Sequence, residues 1–106
     1  MTTTTAAVLR EPSAPLSIEE VELDALQSDE VLVRVLGVGI CHTDVAAWQG
    51  VIPLPLPTVL GHEGSGVVEA VGGAVTHVAP GDHVVLSYDH CGDCQWCRRG
   101  RSSYCE

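Results

Sequence analysis

Four cysteines lie close together near the end of the chain, in the stretch DHCGDCQWCRRGRSSYCE, with the spacing C-x2-C-x2-C-x7-C. A spacing of two residues lets a tight turn present two thiolates to one ion, and a zinc ion held by four thiolates is a closed structural site. Gly92 and Gly100 supply the permissive backbone that such turns need. The pattern therefore predicts a structural zinc site with the ligands Cys91, Cys94, Cys97 and Cys105.

A pair of disulfides is the alternative use of these cysteines. Disulfides belong mainly to exported proteins, and the first residues, MTTTTAAVLREP, lack the basic start and the apolar stretch of a signal peptide. The chain has five cysteines in all, so an all-disulfide scheme leaves one over. These observations favour zinc over disulfides and predict a cytoplasmic protein.

The composition limits both the fold and the partners. A chain of 106 residues forms one domain at most, and without any Phe its core must be built from Val, Leu, Ile and Ala. The formal net charge of -9 argues against nucleic acid and anionic membranes as partners, because both attract basic patches. No apolar run reaches the roughly 18 residues of a membrane span. Because the sequence stops one residue after Cys105, we expect it to be the front piece of a longer protein.

Short apolar segments separated by Gly and Pro predict a mainly β domain, a small and partly open β-barrel. The polar start Met1–Thr5 is expected to be frayed. Cys41–Gln49 predicts a short helix, capped by Thr43 or Asp44 and stopped by Gly50. The predicted strands are Ala6–Arg10, Leu16–Leu23, Glu30–Ile40, Glu63–Val71 and His83–Ser87.

A second group of possible metal ligands stands apart from the four-cysteine stretch. Cys41 follows a predicted strand in GICHTD, and His62 and Glu63 open another strand in VLGHEGSG. A thiolate, an imidazole and a carboxylate form a partial ligand set for a catalytic zinc, which takes three protein ligands and leaves one position open. Taken singly, the residues have plainer interpretations: a buried small cysteine, a turn histidine and a solvated charge.

Four motifs in this order resemble the zinc-dependent medium-chain alcohol dehydrogenases: GICHTD, PTVLGHEGSGVVEAVG, PGDHVVLSY and the four-cysteine stretch. The similarity runs from about Ala6 to Cys105 and looks closest to the aryl-alcohol (benzyl-alcohol) branch. The resemblance implies that residues 1–106 are the N-terminal portion of a GroES-like catalytic domain with short helices and a zinc loop. It also implies a larger α/β enzyme whose Rossmann cofactor domain lies outside this chain.

The resemblance implies a role for each residue of the second group. Cys41 and His62 are then two ligands of a catalytic zinc, and Glu63 sits beside the metal and enters its shell during ligand exchange. Thr43 holds the alcohol proton through its hydroxyl. Asp44 orients a histidine that binds the zinc, as carboxylates behind metal ligands commonly do.

The same resemblance implies the remaining parts of the enzyme. His42 is expected near the cofactor pyrophosphate, and Ala46 stands where some relatives carry a histidine that passes the proton to solvent. A third zinc ligand, the NAD or NADP site and most of a homo-oligomer interface are expected outside the chain. The expected substrate is a small-molecule alcohol or aldehyde, with Trp48, the 51–57 segment and the Ser87–Tyr88 step as candidate pocket walls.

Three functions therefore compete at this point. The first is a fragment of an alcohol dehydrogenase that oxidises a primary, aromatic alcohol and is inactive by itself. The second is a small zinc-binding interaction module, which needs the four cysteines but not Cys41, His62 and Glu63. The third is a co-chaperonin-like barrel that assembles into rings, which leaves the cysteine stretch unexplained.

Overall fold

The computed structural model describes residues 2–106, and their regular structure is mostly strand. Two antiparallel three-stranded sheets are formed, one in the order β2-β1-β4 and the other in the order β3-β5-β6. The strands are β1 (Thr2–Leu9), β2 (Ser17–Leu23), β3 (Val31–Gly39), β4 (Thr58–Val59), β5 (Glu63–Val71) and β6 (His83–Val85). The helices are α1 (His42–Trp48), α2 (Gln95–Arg98) and a 3-10 helix at Ser102–Tyr104.

The first sheet corrects the expectation of a frayed start. Residues Thr2–Thr5 belong to β1 and pair with the second half of β2, with Thr2 opposite Leu23 and Thr5 opposite Glu20. Threonine is β-branched and suits a strand, so this run extends the hydrogen-bonded ladder although it is exposed. Met1 lies outside the described residues.

The second sheet positions the candidate site. Strands β3 and β5 pair along their whole length, and the register ends with Gly39 opposite Glu63. The end of β3 therefore lies beside the start of β5. The third strand, β6, ends at Val85, two residues before its predicted end. Beyond it the Leu86 amide still donates to the Gly64 carbonyl oxygen at 2.9 Å.

Helix α1 follows β3 directly and differs from its prediction at the cap. The capping residue is Cys41, not Thr43 or Asp44, because Cys41 keeps an extended backbone with φ -97° and ψ 155°. Asp44 contributes from the third helical position, where its Oδ2 accepts a hydrogen bond from the Cys41 amide at 3.0 Å. The helix ends before Gly50, which adopts a φ of 83° as predicted for a stop.

The core of the described residues is small, and the two sheets do not close into a complete barrel, in line with the predicted open form. Val8, Leu9 and Val68 are the buried large apolar side chains. Many others stay exposed, including Ile40 at 84% and Val85 at 82% of their full accessibility. Within residues 2–106 no helix is long and apolar enough to cross a membrane.

Candidate metal centres

The first candidate centre is a lobe formed by residues 91–105, which contains α2 and the 3-10 helix. The Sγ atoms of Cys91, Cys94, Cys97 and Cys105 all lie within 4.8 Å of one another. The sulfurs of Cys91 and Cys97 are 4.0 Å apart. A tetrahedral zinc with Zn–S distances of about 2.3 Å needs sulfurs roughly 3.8 Å apart. The donor set therefore fits zinc in both chemistry and size.

The distances between the sulfur atoms are too long for disulfide bonds. A disulfide requires an S–S distance of about 2.05 Å, and all five cysteines of the chain are free in the structure. The zinc interpretation is the one that these positions support.

The sulfur of Cys91 accepts hydrogen bonds from backbone amides. The amides of Asp93 and Cys94 donate to its Sγ at 3.3 and 3.1 Å. These two hydrogen bonds lower the pKa of Cys91 because they stabilise its thiolate. The Cys91 amide in turn donates to the sulfur of Cys105 at 3.3 Å, which ties the two ends of the lobe together.

The two middle thiols differ sharply in acidity. Backbone hydrogen bonds from Cys97 and Glu106 lower the pKa of Cys94 to about 6. Partial burial raises the pKa of Cys97 to about 12. Without metal, the cluster thus holds a thiolate at Cys94 and keeps its neighbour protonated, which avoids crowding like charges.

Aromatic and charged side chains contact one another on the outside of the lobe. The guanidinium of Arg99 lies 5.5 Å from the centroid of the Trp96 ring, a cation–π distance. The Trp96 ring also meets Tyr104, with centroids 6.2 Å apart. Arg98 pairs with Asp93 at 2.7 Å, and both of these side chains are largely exposed.

The second candidate centre is built by the register of β3 and β5. Because Gly39 pairs with Glu63, the residue two positions after β3 and the residue just before β5 come together. Ligand atoms of Cys41, His62 and Glu63 lie within 4.8 Å of one another. Gly39 leaves room for this arrangement, since an added Cβ at that position would lie 3.3 Å from the Cβ of Glu63.

Asp44 links the two halves of this second centre. One carboxylate oxygen accepts the Cys41 amide at 3.0 Å, and the other lies 3.3 Å from Nδ1 of His62. The carboxylate is only 15% exposed, so it acts in a partly desolvated position. Asp44 thus holds one ring nitrogen of His62 and leaves the other for a metal, the arrangement expected of a carboxylate behind a metal ligand.

Neighbouring groups shift the pKa values of Cys41 and His62 in opposite directions. Hydrogen bonds from the side chain and backbone of Thr43, together with the His62 ring, lower the pKa of Cys41. The hydrogen bond with Cys41 and the charge of Asp44 raise the pKa of His62. A thiolate facing an imidazole with a carboxylate behind it is a donor set that suits zinc.

An open groove of about 540 Å³ lies in front of this centre. Its walls include Cys41, His62 and Glu63 together with Ser87 and Tyr88, so that the predicted Ser87–Tyr88 wall is part of it. The Tyr88 ring stacks on the His62 ring, with centroids 5.2 Å apart and an interplanar angle of 24°. Sequence reasoning missed this stack, because no spacing relates residues that are brought together only by the pairing of β5 and β6.

The other predicted walls lie elsewhere. Trp48 lines a separate, apolar pocket of about 400 Å³ with Val38, Ile40 and Val45, and its Nε1 donates to the Ala14 carbonyl oxygen at 2.7 Å. The 51–57 segment lies outside both pockets and has no regular structure.

The roles of His42, Thr43 and Ala46 at the start of α1 stay predictions, and the structure gives their positions. His42 is the first residue of α1 and is exposed, and Ala46 lies on the same helix, half-buried. Thr43 is exposed on the first turn, next to the sulfur of Cys41. The structure thus gathers Cys41, Thr43 and Asp44 at one helix start.

Residues 27–106 match the family described as the alcohol dehydrogenase GroES-like domain. The chain belongs to this family. Its relatives include a geraniol dehydrogenase from Castellaniella defragrans, 54% identical over 94% of this chain and 26% of the relative.

Solved structures show the same GroES-like fold. Benzyl alcohol dehydrogenase from Acinetobacter calcoaceticus is 45% identical, with a TM-score of 0.95 over all of this chain and 29% of that one. An alcohol dehydrogenase zinc-binding domain protein from Burkholderia ambifaria is 53% identical, with a TM-score of 0.93 over 99% of this chain and 29% of that one. One further relative is described as cobalt- and zinc-bound and another as bound to NADP.

The GroES-like chain spans only a quarter to a third of the length of these relatives. The family is that of zinc-dependent alcohol dehydrogenases, which are oxidoreductases.

Proposed function

We propose that this chain is the zinc-holding front part, residues 1–106, of an alcohol dehydrogenase that oxidises a primary, aromatic alcohol to its aldehyde with NAD or NADP. The observation that supports this proposal is that Cys41, His62 and Glu63 meet in an open groove, with Thr43 next to Cys41. Relatives named for geraniol and benzyl alcohol both support a primary alcohol, and the second of them supports an aromatic one. Five free thiols suit a reducing compartment such as the cytoplasm.

Two zinc sites with different tasks follow from the two donor sets. Four local thiolates close a structural site, whereas Cys41 and His62 supply two ligands and leave room for others. Zinc in such an open site supplies a Lewis acid that lowers the pKa of an alcohol hydroxyl, and a nicotinamide supplies the hydride acceptor. Glu63 lies close enough to serve as a further oxygen donor during ligand exchange.

The remaining steps fall to side chains of this chain. Thr43 lies beside Cys41, where its hydroxyl oxygen can accept a hydrogen bond from an alcohol while its own hydroxyl proton passes to a further acceptor. The exposed position of Thr43 lets the proton continue to water or to the neighbouring His42, since Ala46 offers no proton acceptor. Asp44 keeps the His62 ring in place throughout.

The second wall of the groove selects the substrate. Ser87 and Tyr88 line the same groove as Cys41, and an aromatic side chain in that wall favours a flat apolar group. His42, exposed on the first turn of α1, is proposed to contact the pyrophosphate of the cofactor. The homo-oligomer interface and the third zinc ligand are assigned to the rest of the protein.

An interaction module with zinc but no catalysis is the competing function. It makes no use of a second ligand group with a proton-accepting hydroxyl beside it. The presence of Cys41 and His62 in one groove, with Thr43 beside Cys41, therefore favours the dehydrogenase.

The test uses a full-length protein that contains this chain, with zinc content and NADH production from benzyl alcohol measured together. His62→Ala is expected to lose one zinc and the activity, whereas Cys97→Ser is expected to lose the other zinc and to affect the activity through stability alone. The 106-residue chain itself is expected to be inactive. Full activity in the His62→Ala protein, or two zinc ions retained by it, would refute the proposal.

A further inference from the structure

The Tyr88 ring, already assigned to the groove wall that selects the substrate, also stacks on His62. Tyr88 is 72% exposed, so its position is not the result of burial in the core. Its ring nevertheless lies 5.2 Å from the imidazole centroid at an angle of only 24°, within the range of favourable offset stacking. An exposed ring in this geometry covers one face of a predicted metal ligand.

The backbone on both sides of Tyr88 holds the ring in place. The Leu86 amide bonds to the Gly64 carbonyl oxygen at 2.9 Å and so extends the pairing of β5 with β6 toward Tyr88. On the other side, Nδ1 of His90 lies 3.3 Å from the Tyr88 carbonyl oxygen. The segment that carries the ring is therefore anchored to the same strand, β5, that follows His62.

Asp44 and Tyr88 restrain different motions of the imidazole. The contact between Asp44 Oδ1 and His62 Nδ1, 3.3 Å long, fixes one edge of the ring. It leaves the ring free to turn about an axis through that contact, because the second torsion of histidine is broad. A flat side chain against the face of the ring opposes this remaining rotation.

We propose that Tyr88 is a positioning residue whose ring holds the His62 imidazole in the orientation from which it binds a metal beside Cys41. The inference rests on the proposed function, since it takes Cys41 and His62 as ligands of one ion. Its physical content is preorganisation: a ring that is already ordered loses less rotational freedom when the metal binds.

The experiment uses the 106-residue chain loaded with one equivalent of zinc at the four-cysteine site, and Co²⁺ as the probe of the second site. The thiolate-to-cobalt absorption band reports binding at Cys41. Tyr88→Ala and Tyr88→Leu are expected to weaken Co²⁺ binding about 2- to 10-fold, the equivalent of one lost aromatic pair. Tyr88→Phe keeps the ring and is expected to bind as the parent chain does.

Tyr104→Ala is the matched control, because it removes a tyrosine that contacts another ring, Trp96, in the four-cysteine lobe. It is expected to leave Co²⁺ affinity at Cys41 unchanged. A second readout needs no metal at the Cys41 site: the imidazole protons of His62 are expected at upfield ring-current positions in the parent and Tyr88→Phe chains, and to move downfield in Tyr88→Ala.

The outcomes separate the two proposals. If the parent chain binds Co²⁺ through Cys41 but Tyr88→Ala binds it equally well, Tyr88 has no positioning role while the metal site stands. If the parent chain binds no Co²⁺ through Cys41, the inference about Tyr88 fails, whereas the proposed metal site is decided separately by the zinc content of the full-length His62→Ala protein. Weaker binding by Tyr88→Ala and Tyr88→Leu, with rescue by Tyr88→Phe and a downfield shift of the His62 protons, supports the inference.

Discussion

Cys94 and Cys97 stand three positions apart, yet their thiols differ by several pKa units in the metal-free chain. The pKa of Cys94 is lowered to about 6 by backbone hydrogen bonds, and that of Cys97 is raised to about 12 by partial burial. At pH 7 the first is mostly thiolate and the second is a thiol. Because zinc binds only thiolates, loading the cluster must release the Cys97 proton.

This difference predicts the order of alkylation in the metal-free chain. At pH 7, Cys94 is expected to react with iodoacetamide on the order of 100-fold faster than Cys97, its larger thiolate fraction outweighing its lower nucleophilicity. Raising the pH increases the Cys97 thiolate about tenfold per unit while Cys94 is already ionised, so the gap narrows. Peptide mass spectrometry at several pH values measures both rates. Equal rates at pH 7 would contradict the assigned acidities.

The hydroxyl of Thr43 gives a second prediction at this scale. In a full-length protein that contains this chain, Thr43→Val is expected to lower kcat by roughly 10²–10⁴ while both zinc ions stay bound, because a positioned acid–base group is lost. Thr43→Ser keeps the hydroxyl and is the matched control, expected to retain most of the activity. An unchanged kcat in Thr43→Val would remove this residue from the mechanism.

The sequence predicts the ligands of a site well when they lie close together along the chain, and poorly when they lie far apart. The four cysteines lie within one short loop, so their spacing alone indicates the cluster. The roles of Cys41 and His62 follow from the family resemblance, and the structure brings the two residues together. The stack of Tyr88 on His62 depends on how β6 pairs with β5, and no local pattern encodes that pairing.

Among the elements, the pairing of β3 with β5 determines the geometry of the second centre. Both strands were predictable from their runs of Val, whereas the register shifts at Leu32/Val33 and Val35/Gly37 were not. A shift of one residue in a strand exchanges its two faces, so these irregularities help to decide which side chains face the groove. The residues of β1 at Thr2–Thr5 were misjudged for a similar reason, since pairing with β2 outweighs their polar character.

The turn after β5 offers a test of close backbone packing with two adjacent glycines. A Cβ on Gly72 would overlap the carbonyl oxygens of Gln27 and Ser28, whereas a Cβ on Gly73 would meet nothing within 4 Å. Gly72→Ala is therefore expected to destabilise the chain by about 1–3 kcal/mol, as forced overpacking does. Gly73→Ala is expected to change the free energy of unfolding little. Urea denaturation of the zinc-loaded variants measures both, and similar midpoints would disprove the packing argument.

The four-cysteine lobe is an element that depends on its metal. Its two short helices contact each other, and among the described elements no extensive packing joins them to a strand. Helices of four and three residues are too short to be stable alone. Zinc removal is therefore expected to make residues 91–105 open transiently and far more often, while their closed form persists, and to leave the two sheets in place.

Hydrogen exchange with and without a strong chelator tests this dependence. Amides of the lobe, such as those of Cys94 and Arg98, are expected to lose protection when zinc is removed, while amides of β3 and β5 keep theirs. During a chelator titration, the four-thiolate site is expected to release its zinc last, because its local ligands close a short loop at low entropic cost. Loss of protection throughout the chain at once would show that the lobe and the sheets form one cooperative unit.

At the scale of the whole molecule, the notable property is how little apolar surface the chain buries. Val8, Leu9 and Val68 are buried, while Ile40, Val85 and many other large apolar side chains are exposed. The open sheets and the short length relative to the relatives agree with this picture. Composition predicted a modest core, but which apolar residues remain exposed depends on surfaces that sequence patterns alone do not define.

This distribution of exposed and buried apolar side chains predicts that one apolar substitution changes stability little and another changes it strongly. Ile40 is 84% exposed, so Ile40→Thr is expected to change the free energy of unfolding by less than about 0.5 kcal/mol. The same change is expected to lower the binding of an apolar fluorescent dye, because Ile40 lines the apolar pocket of about 400 Å³.

Leu9 is 1% exposed, and Leu9→Ala is expected to destabilise the chain by about 2–5 kcal/mol, enough to unfold a domain with so small a core. Dye titration and urea denaturation of the zinc-loaded chains measure both effects. Strong destabilisation by Ile40→Thr, or none by Leu9→Ala, would show that the apolar core lies elsewhere than the structure places it.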